Sequence, residues 1–135
     1  MKTKILLAFV VPSLVLLLAS LPVRALSLSL GEKATLQAAM QQHIDENLIN
    51  GAYLHLNFET GDVQELYPTA SHPMILRMGP YFVLCSDFIK GDGDHYNVDF
   101  YLAPRGDGYK VFLAEVENRA PLKRLMKLGK ADRVD

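Results

Sequence analysis

Two Asp-Gly pairs constrain the fold of this chain more than any other feature of its sequence. Asp92-Gly93 and Asp107-Gly108 each interrupt the stretch between residues 81 and 116, in which apolar side chains recur. Asp-Gly between apolar runs is a strong short-range signal for a β-hairpin. The two pairs therefore predict three consecutive antiparallel strands in the second half of the chain.

The same turns predict which residues face each other across the strands. A two-residue loop at Asp92-Gly93 places Cys85, the single cysteine, opposite Phe100. A two-residue loop at Gly106-Asp107 then places Leu113 opposite Phe100 from the other side. We expect Cys85 to be a buried, reduced thiol that packs like a small hydrophobic side chain. The alternative is an exposed thiol that pairs with a partner.

This register divides the strands into two faces, both of them largely apolar, and one face also carries polar groups. The candidate ligand-binding residues on that face are Phe82, Ser86, Asn97, Asp99, Tyr101 and Phe112. Aromatic side chains with a few polar groups are typical of a pocket. In such a pocket Asp99 would act as acid or base and Tyr101 would orient the ligand. The alternative is that the polar groups lie at a rim while the aromatic groups pack on a helix.

A helix is predicted before the strands. Ser29 and Glu32 have the spacing of a capping box, and apolar residues then recur at intervals of three and four. We predict a helix over residues 31–49 that is closed by Asn50-Gly51. From residue 52 the apolar period changes to two, which indicates strands. Pro68 and Pro73 disfavour a central strand, so residues 68–78 are expected at a sheet edge.

A short basic helix is predicted at the end of the chain. Pro121 suits the first turn of a helix, and Gly129 marks its end. The cations that accompany this helix form a basic surface made of Lys123, Arg124, Lys127 and Lys130. This surface would contact an anionic membrane weakly, dock on an acidic partner, or fold onto the chain's own acidic body.

Charge is distributed unevenly along the chain, although the formal net charge is only −1. Residues 26–118 contain thirteen acidic and five basic residues, whereas residues 119–135 contain six basic and two acidic residues. An acidic body argues against nucleic acid as a partner, because a basic face would be required.

The first residues have the layout of a secretory signal peptide. Lys2 and Lys4 precede an apolar stretch from Ile5 to Leu21, and Val23-Arg24-Ala25 has the spacing of a cleavage site. We therefore predict a signal peptide over residues 1–25 and one exported domain over residues 26–135, with the bacterial periplasm as its compartment. An uncleaved membrane anchor is the alternative.

The expected architecture is an α+β domain with an N-terminal helix packed on a curved antiparallel meander of five to six strands, followed by a short basic helix and tail over residues 119–135. This order of elements is similar to that of the cystatin-like and nuclear-transport-factor-like rolls, in which a curved sheet wraps a helix. The resemblance rests on element order alone, and a fold of this kind does not determine a function.

The sequence contains no nucleophile motif and no phosphate-binding loop. His43 and Glu46 are spaced for one helix face, but no spacing supplies further metal ligands, so neither a metal nor a cofactor is predicted. We therefore expect a non-catalytic binding or accessory protein for a small molecule or a protein. One alternative is a small acid/base enzyme of isomerase or hydrolase type. Another is a structural homodimer that buries the sheet face with the polar groups.

Overall fold

The chain forms an α+β structure in which one helix precedes an antiparallel sheet and a short helix follows it, as predicted. The computed structural model describes residues 27–134. In chain order the elements are α1 Leu30–Glu46, β1 Leu48–Ile49, β2 Ala52–Leu56, β3 Val63–Met78, β4 Tyr81–Lys90, β5 His95–Arg105, β6 Gly108–Val116, α2 Ala120–Lys127 and β7 Asp132–Arg133. Strands β1 to β6 are neighbours in chain order, and β7 pairs with β3.

Helix α1 begins where the sequence predicts and ends earlier. The Glu32 amide donates to Ser29 Oγ at 3.2 Å, and the Ser29 amide donates to Glu32 Oε2 at 2.9 Å, which confirms the capping box. The predicted end at residue 49 is wrong, because the helix stops at Glu46. Asn50 and Gly51 have φ values of 54° and 85° and form the two-residue turn between β1 and β2. Asn-Gly suits this hairpin turn as well as it suits a helix end.

Strand β3 runs through the two prolines. It extends from Val63 to Met78 and pairs with β4, with irregularities between Pro68 and Ala70 and between Ser71 and Ile75. On its other side, β2 pairs as far as Leu66 and β7 pairs only from Leu76. The expected edge is therefore present over residues 68–75, where a proline removes no hydrogen bond to a second strand. It is absent at Leu76 and Arg77, which pair with both β4 and β7.

The predicted register between β4 and β5 is wrong by one residue. The Lys90 amide donates to the Asp94 carbonyl at 2.9 Å, so the loop contains three residues instead of two. Gly93, with φ at 94°, ends that loop, as a left-handed residue does after a type I turn. Cys85 consequently lies opposite Asp99, not Phe100. A shift of one residue exchanges the faces of one strand relative to its neighbour.

The hairpin between β5 and β6 has the predicted two-residue loop, because Arg105 pairs with Gly108. An irregularity follows, and Leu113 lies opposite Tyr101 instead of the expected Phe100. The extra residue at this irregularity is Phe112, which is 56 % exposed. Sequence patterns do not reveal such a bulge, since it adds one residue without a turn signal.

Two groups of buried side chains hold the sheet between the helices. On the face that packs on α1, called the α1 face, Leu36, Met40 and Ile44 contact buried strand residues that include Phe88 and Phe100. On the opposite face, called the α2 face, a smaller apolar cluster surrounds Leu122 of α2: Leu76, Val83, Tyr101 and Ala131. The α1 face therefore contains the larger part of the hydrophobic core.

The two ends of the described chain meet beside β3. The Val134 amide donates to the Ile75 carbonyl at 3.0 Å, and the Leu28 amide donates to the Val134 carbonyl at 3.4 Å. Strand β7 was not predicted, because two residues carry no recognisable period. Val134, which follows β7, brings Leu28, two residues before α1, next to the segment that follows α2.

Candidate functional site

A polar cluster formed by Cys85, Asp99 and Arg119 occupies the middle of the α2 face. Asp99 is fully buried, and Cys85 is 1 % exposed directly opposite it. Arg119 Nε lies 3.2 Å from Asp99 Oδ2, and its Nη2 lies 3.2 Å from Oδ1. A guanidinium that contacts both oxygens of a carboxylate fixes orientation as well as charge. The ion pair therefore joins the start of α2 to the centre of the sheet.

The position of Arg119 in the chain explains why this contact is available. Arg119 is the residue immediately before α2, and its side chain makes no capping hydrogen bond. Arginine is not among the preferred residues at this position, where short polar side chains cap the helix. Its side chain instead turns to the sheet, where Asp99 lacks solvent and needs a cation.

The thiol of Cys85 is part of the same cluster. It donates to Asp99 Oδ1 at 2.7 Å, and Arg119 Nη2 lies 3.2 Å from Sγ. Burial, together with the hydrogen bond and the charge of Asp99, raises the pKa of the Cys85 thiol to about 12. A nucleophilic cysteine requires the opposite shift, toward the thiolate. Cys85 therefore contributes structure and no nucleophile.

The expectation that Cys85 is buried and unpaired is confirmed, but its predicted surroundings are wrong. Phe100 points to the α1 face, where it packs with the larger core. Leu113 is 42 % exposed and lies opposite Tyr101. The one-residue difference in the β4–β5 loop accounts for this, since it exchanges an apolar neighbour of Cys85 for a carboxylate.

A second polar contact lies beside the cluster, at Asp87. His72 Nε2 is 2.8 Å from Asp87 Oδ2, and Asn97 Nδ2 donates to Oδ1 at 3.3 Å. Partial burial opposes ionisation of Asp87, but the hydrogen bonds from His72 and Asn97 outweigh it and lower its pKa. These groups lie nearer to solvent than Asp99 and fasten β3 to β4 and β5.

The candidate ligand-binding residues divide between the two faces. Three of them alternate along β5 and belong to the α2 face: Asn97, Asp99 and Tyr101. On the same face the centroids of the Phe112 and Tyr101 rings are 6.4 Å apart. Phe82 belongs to the core of the α1 face. Ser86 lies between Leu84 and Phe88 on that same α1 face, and its hydroxyl donates to the Ala70 carbonyl at 3.1 Å. The structure therefore does not place the six residues around one common space.

An apolar groove runs beside helix α2. The groove has a volume of about 490 Å³ and is lined by Pro121, Arg124, Leu125 and Leu128, among others. Leu128 is 58 % exposed, and the neighbouring Met126 is 41 % exposed. A helix whose exposed residues include both apolar and cationic side chains is suited to a partner that is both apolar and anionic.

All four cations of the basic surface are exposed, and one of them, Arg124, lines this groove. Within residues 27–134 none of the four, Lys123, Arg124, Lys127 and Lys130, forms an ion pair. The helix is packed on the sheet through Leu122 and Arg119, but these four cations are not neutralised by the acidic body. The groove residues Ala120, Pro121, Arg124, Leu125 and Leu128, together with Lys123, Lys127 and Lys130, are called the α2 surface below.

A smaller cavity of about 270 Å³ separates α1 from β6. His43 and Glu46 of α1 face Arg105 and Lys110 across it. Burial lowers the pKa of His43, and its Nε2 lies 3.3 Å from the Tyr53 hydroxyl. Charges of both signs surround this cavity, so it favours no single class of ligand.

The part of the chain that the structure describes contains neither a metal-binding cluster nor a membrane-spanning helix. In residues 27–134 no three His, Cys, Asp or Glu side chains come together in a way that could hold a metal ion. No helix in that range is long and apolar enough to cross a membrane. The predicted signal peptide, residues 1–25, lies outside the described residues.

Sequence reasoning singled out Asp99 and the four cations of the basic surface as candidates, but it did not single out Arg119. Asp99 stands in an apolar strand and, once buried, needs a cation. Arg119 is the first cation after the last strand of the meander. The possible pairing of these two residues was therefore visible in the sequence. It was missed because Arg119 was counted with the basic residues of 119–135. No family model, curated protein or solved structure matches this chain.

Proposed function

We propose that this protein is an exported, non-catalytic accessory protein that binds its partner through the α2 surface. The observation that carries the proposal is an apolar groove with unpaired cations on a helix that is fastened to the sheet at its first residue. A helix held in this way is already ordered before it binds, so less entropy is lost when a partner contacts it.

The chemistry of the polar cluster supports a binding role more than a catalytic one. Asp99 is fully buried, and both of its oxygens are engaged by Arg119. A general base must come within hydrogen-bond distance of a substrate proton, and here protein atoms surround the carboxyl. The thiol beside it is neutral because burial raises its pKa to about 12.

The α2 surface is tested by site-specific photo-crosslinking in the producing cells. A photoreactive residue replaces Leu128 in one variant and Ile49 in another, because the two side chains are similarly exposed, at 58 % and 56 %, on different elements. We expect an adduct at position 128 that is absent at position 49. The adduct should also weaken when Lys123, Arg124, Lys127 and Lys130 are replaced by Gln. Equal adduct yields at both positions would rule out the α2 surface as the binding site. So would an adduct at position 128 whose yield does not change when these four charges are removed.

Export follows from the sequence of residues 1–25 and has its own test. Intact mass and N-terminal sequencing of the protein from the exported fraction should show a chain that begins near Leu26. A chain that is found only inside the cell would contradict export and leave the binding surface unaffected.

A homodimer is the second candidate, and one observation favours it. Tyr81, Phe112 and Leu113 are exposed to 42 %, 56 % and 42 % on or beside the open edge strand β6. Exposed apolar and aromatic side chains at the open edge of a sheet favour contact with a second chain. Native mass spectrometry should then give twice the monomer mass, and Phe112→Ser should return the mass to that of the monomer. A wild-type protein that remains a monomer at high concentration would exclude this candidate.

A further inference from the structure

Part of the α1 face is left uncovered where the sheet extends past the end of α1. His43, in the last turn of α1, packs against the rings of Tyr53 and Phe100. On the same face, His55 lies two residues beyond Tyr53 in β2, and Tyr96 lies four residues before Phe100 in β5. The side chains at these two positions therefore lie beyond the contact between α1 and the sheet.

A cavity of about 360 Å³ lies over this uncovered part of the sheet. The described residues that line it belong to β2, β3, β5, β6, the loop between β2 and β3, and the residue after β6. They include the aromatic side chains of His55, Phe58 and Tyr96 and the carboxylates of Glu59 and Glu117. The volume is within the range of about 300–1,000 Å³ that is typical of small-molecule sites.

We propose that this cavity binds a small organic cation, in which an ammonium group is attached to an apolar body. No Lys or Arg is among the described residues that line it, and neither Glu59 nor Glu117 forms an ion pair within residues 27–134. An ammonium group is attracted to carboxylates and to the faces of aromatic rings. The cavity lies on the opposite face of the sheet from α2, so this inference does not rest on the α2 surface.

The contacts of Lys90 show that the Tyr96 ring accepts a cation. Lys90 Nζ lies 6.0 Å from the centre of this ring, and Asp92 Oδ2 lies 2.9 Å from the same Nζ. The charge of Lys90 is matched by Asp92. Lys90 therefore leaves the two glutamates of the cavity without a cation.

Glu117 is held so that one of its carboxylate oxygens remains free for a ligand. Its φ of 52° is in the left-handed region, which is uncommon for a residue other than glycine. Its amide donates to the Asn97 carbonyl at 2.8 Å, and its Oε1 accepts a hydrogen bond from the Asn97 amide. Within residues 27–134 no hydrogen bond reaches Oε2. The side chain is thus positioned by β5, and Oε2 can contact an ammonium group.

The loop between β2 and β3 carries the other glutamate and the most exposed aromatic ring of the cavity. Phe58 is 90 % exposed. Asn57 Oδ1 accepts hydrogen bonds from the amides of Glu59 and Thr60 at 2.9 and 3.2 Å, and the Gly61 amide donates to the Asn57 carbonyl at 2.7 Å. The loop is therefore ordered before a ligand arrives, which lowers the entropy lost on binding.

The experiment compares three compounds that share a phenyl ring and differ in charge: phenethylamine, phenethyl alcohol and phenylacetate. Each is titrated into the isotope-labelled protein from the exported fraction, and the amide shifts of Phe58, Glu59 and Glu117 are followed by NMR. We expect phenethylamine, which is a cation at neutral pH, to bind on the order of tenfold more tightly than the alcohol. Phenylacetate should bind more weakly than either.

Three charge-neutralising variants locate the effect. Glu117→Gln retains an acceptor for the Asn97 amide, so combining it with Glu59→Gln should remove the charges and preserve the fold. The affinity for phenethylamine should then fall to that for the alcohol, on the order of tenfold, while the affinity for the alcohol stays unchanged. Glu65→Gln is the matched control, because Glu65 alternates with Gln64 and Leu66 and so lies on the other face of the sheet.

The binding results also define what would overturn the inference. Equal affinities for the three compounds would show that the cavity does not select a cation. A loss with Glu65→Gln as large as that with the paired cavity variants would show that only the net charge of the protein matters. If none of the compounds shifts the amides of Phe58, Glu59 and Glu117 in a saturable way, the cavity is not a site for this class of ligand.

Discussion

The two faces of the sheet are held by different interactions. The α1 face buries large apolar side chains of α1 and the strands, such as Met40, Phe88 and Phe100, all at 0 % exposure. The α2 face has a smaller apolar cluster around Leu122 and, beside it, the ion pair of Asp99 with Arg119. Apolar packing contributes much stability but is not directional. An ion pair with two contacts, in contrast, specifies one orientation of the helix relative to the sheet. The difference indicates that the α1 face stabilises the fold and the α2 face positions α2.

The largest loss of stability is expected from a substitution on the α1 face. Phe100→Ala should lower the free energy of unfolding by about 3–5 kcal/mol, because the ring is fully buried and its loss leaves a cavity. Urea denaturation measures this change. Phe112→Ala is the control from the other face, since its ring is 56 % exposed, and it should cost less than about 1 kcal/mol. Similar losses for the two variants would remove the distinction between the faces.

The second prediction concerns the ion pair. Arg119→Met should cost about 2 kcal/mol, because it leaves the Asp99 carboxylate buried without its cation. The figure is below that of a fully buried pair, since the Arg119 side chain is 35 % exposed. Adding Asp99→Asn should recover on the order of 1 kcal/mol, and Arg124→Met, which breaks no ion pair, should change stability by less than about 0.5 kcal/mol.

Strict additivity of Asp99→Asn and Arg119→Met would contradict the second prediction. It would mean that the two residues act independently despite the contacts of 3.2 Å between them.

The local parts of the fold could be predicted from the sequence, and the long-range parts could not. Ser29 with Glu32, and the Gly106-Asp107 loop, are encoded by neighbouring residues, so the start of α1 and the last hairpin were correct. Asp92-Gly93 suits loops of two or three residues, and the choice between them determines which residue faces Cys85. The contact between Asp99 and Arg119 spans twenty residues and depends on that register. Helix α2 was predictable because Pro121 suits its first turn and Gly129 follows its end.

A third prediction is a pH dependence of stability due to Cys85. Burial raises the pKa of its thiol from 9.0 to about 12, so the folded protein retains a proton that the unfolded chain releases. The stabilisation from this difference is complete below pH 9 and is lost as the pH rises toward about 12. Between these values the wild-type protein should lose more stability than Cys85→Ala, as measured by urea denaturation on both sides of pH 9. Parallel losses in the two proteins would show that the thiol is not held in its neutral form.

The most direct test of the central claim, that the buried ion pair fixes α2 on the sheet, is amide hydrogen exchange of wild-type protein and Arg119→Met. Amides such as those of Lys123 and Leu128, which donate to carbonyls within the helix segment at 2.9 and 3.1 Å, report on α2. The account predicts that Arg119→Met loses protection at these amides while the amides of α1 around Met40 keep theirs. If α2 stays as protected as in the wild type, or if both helices lose protection together, the ion pair is not what positions α2.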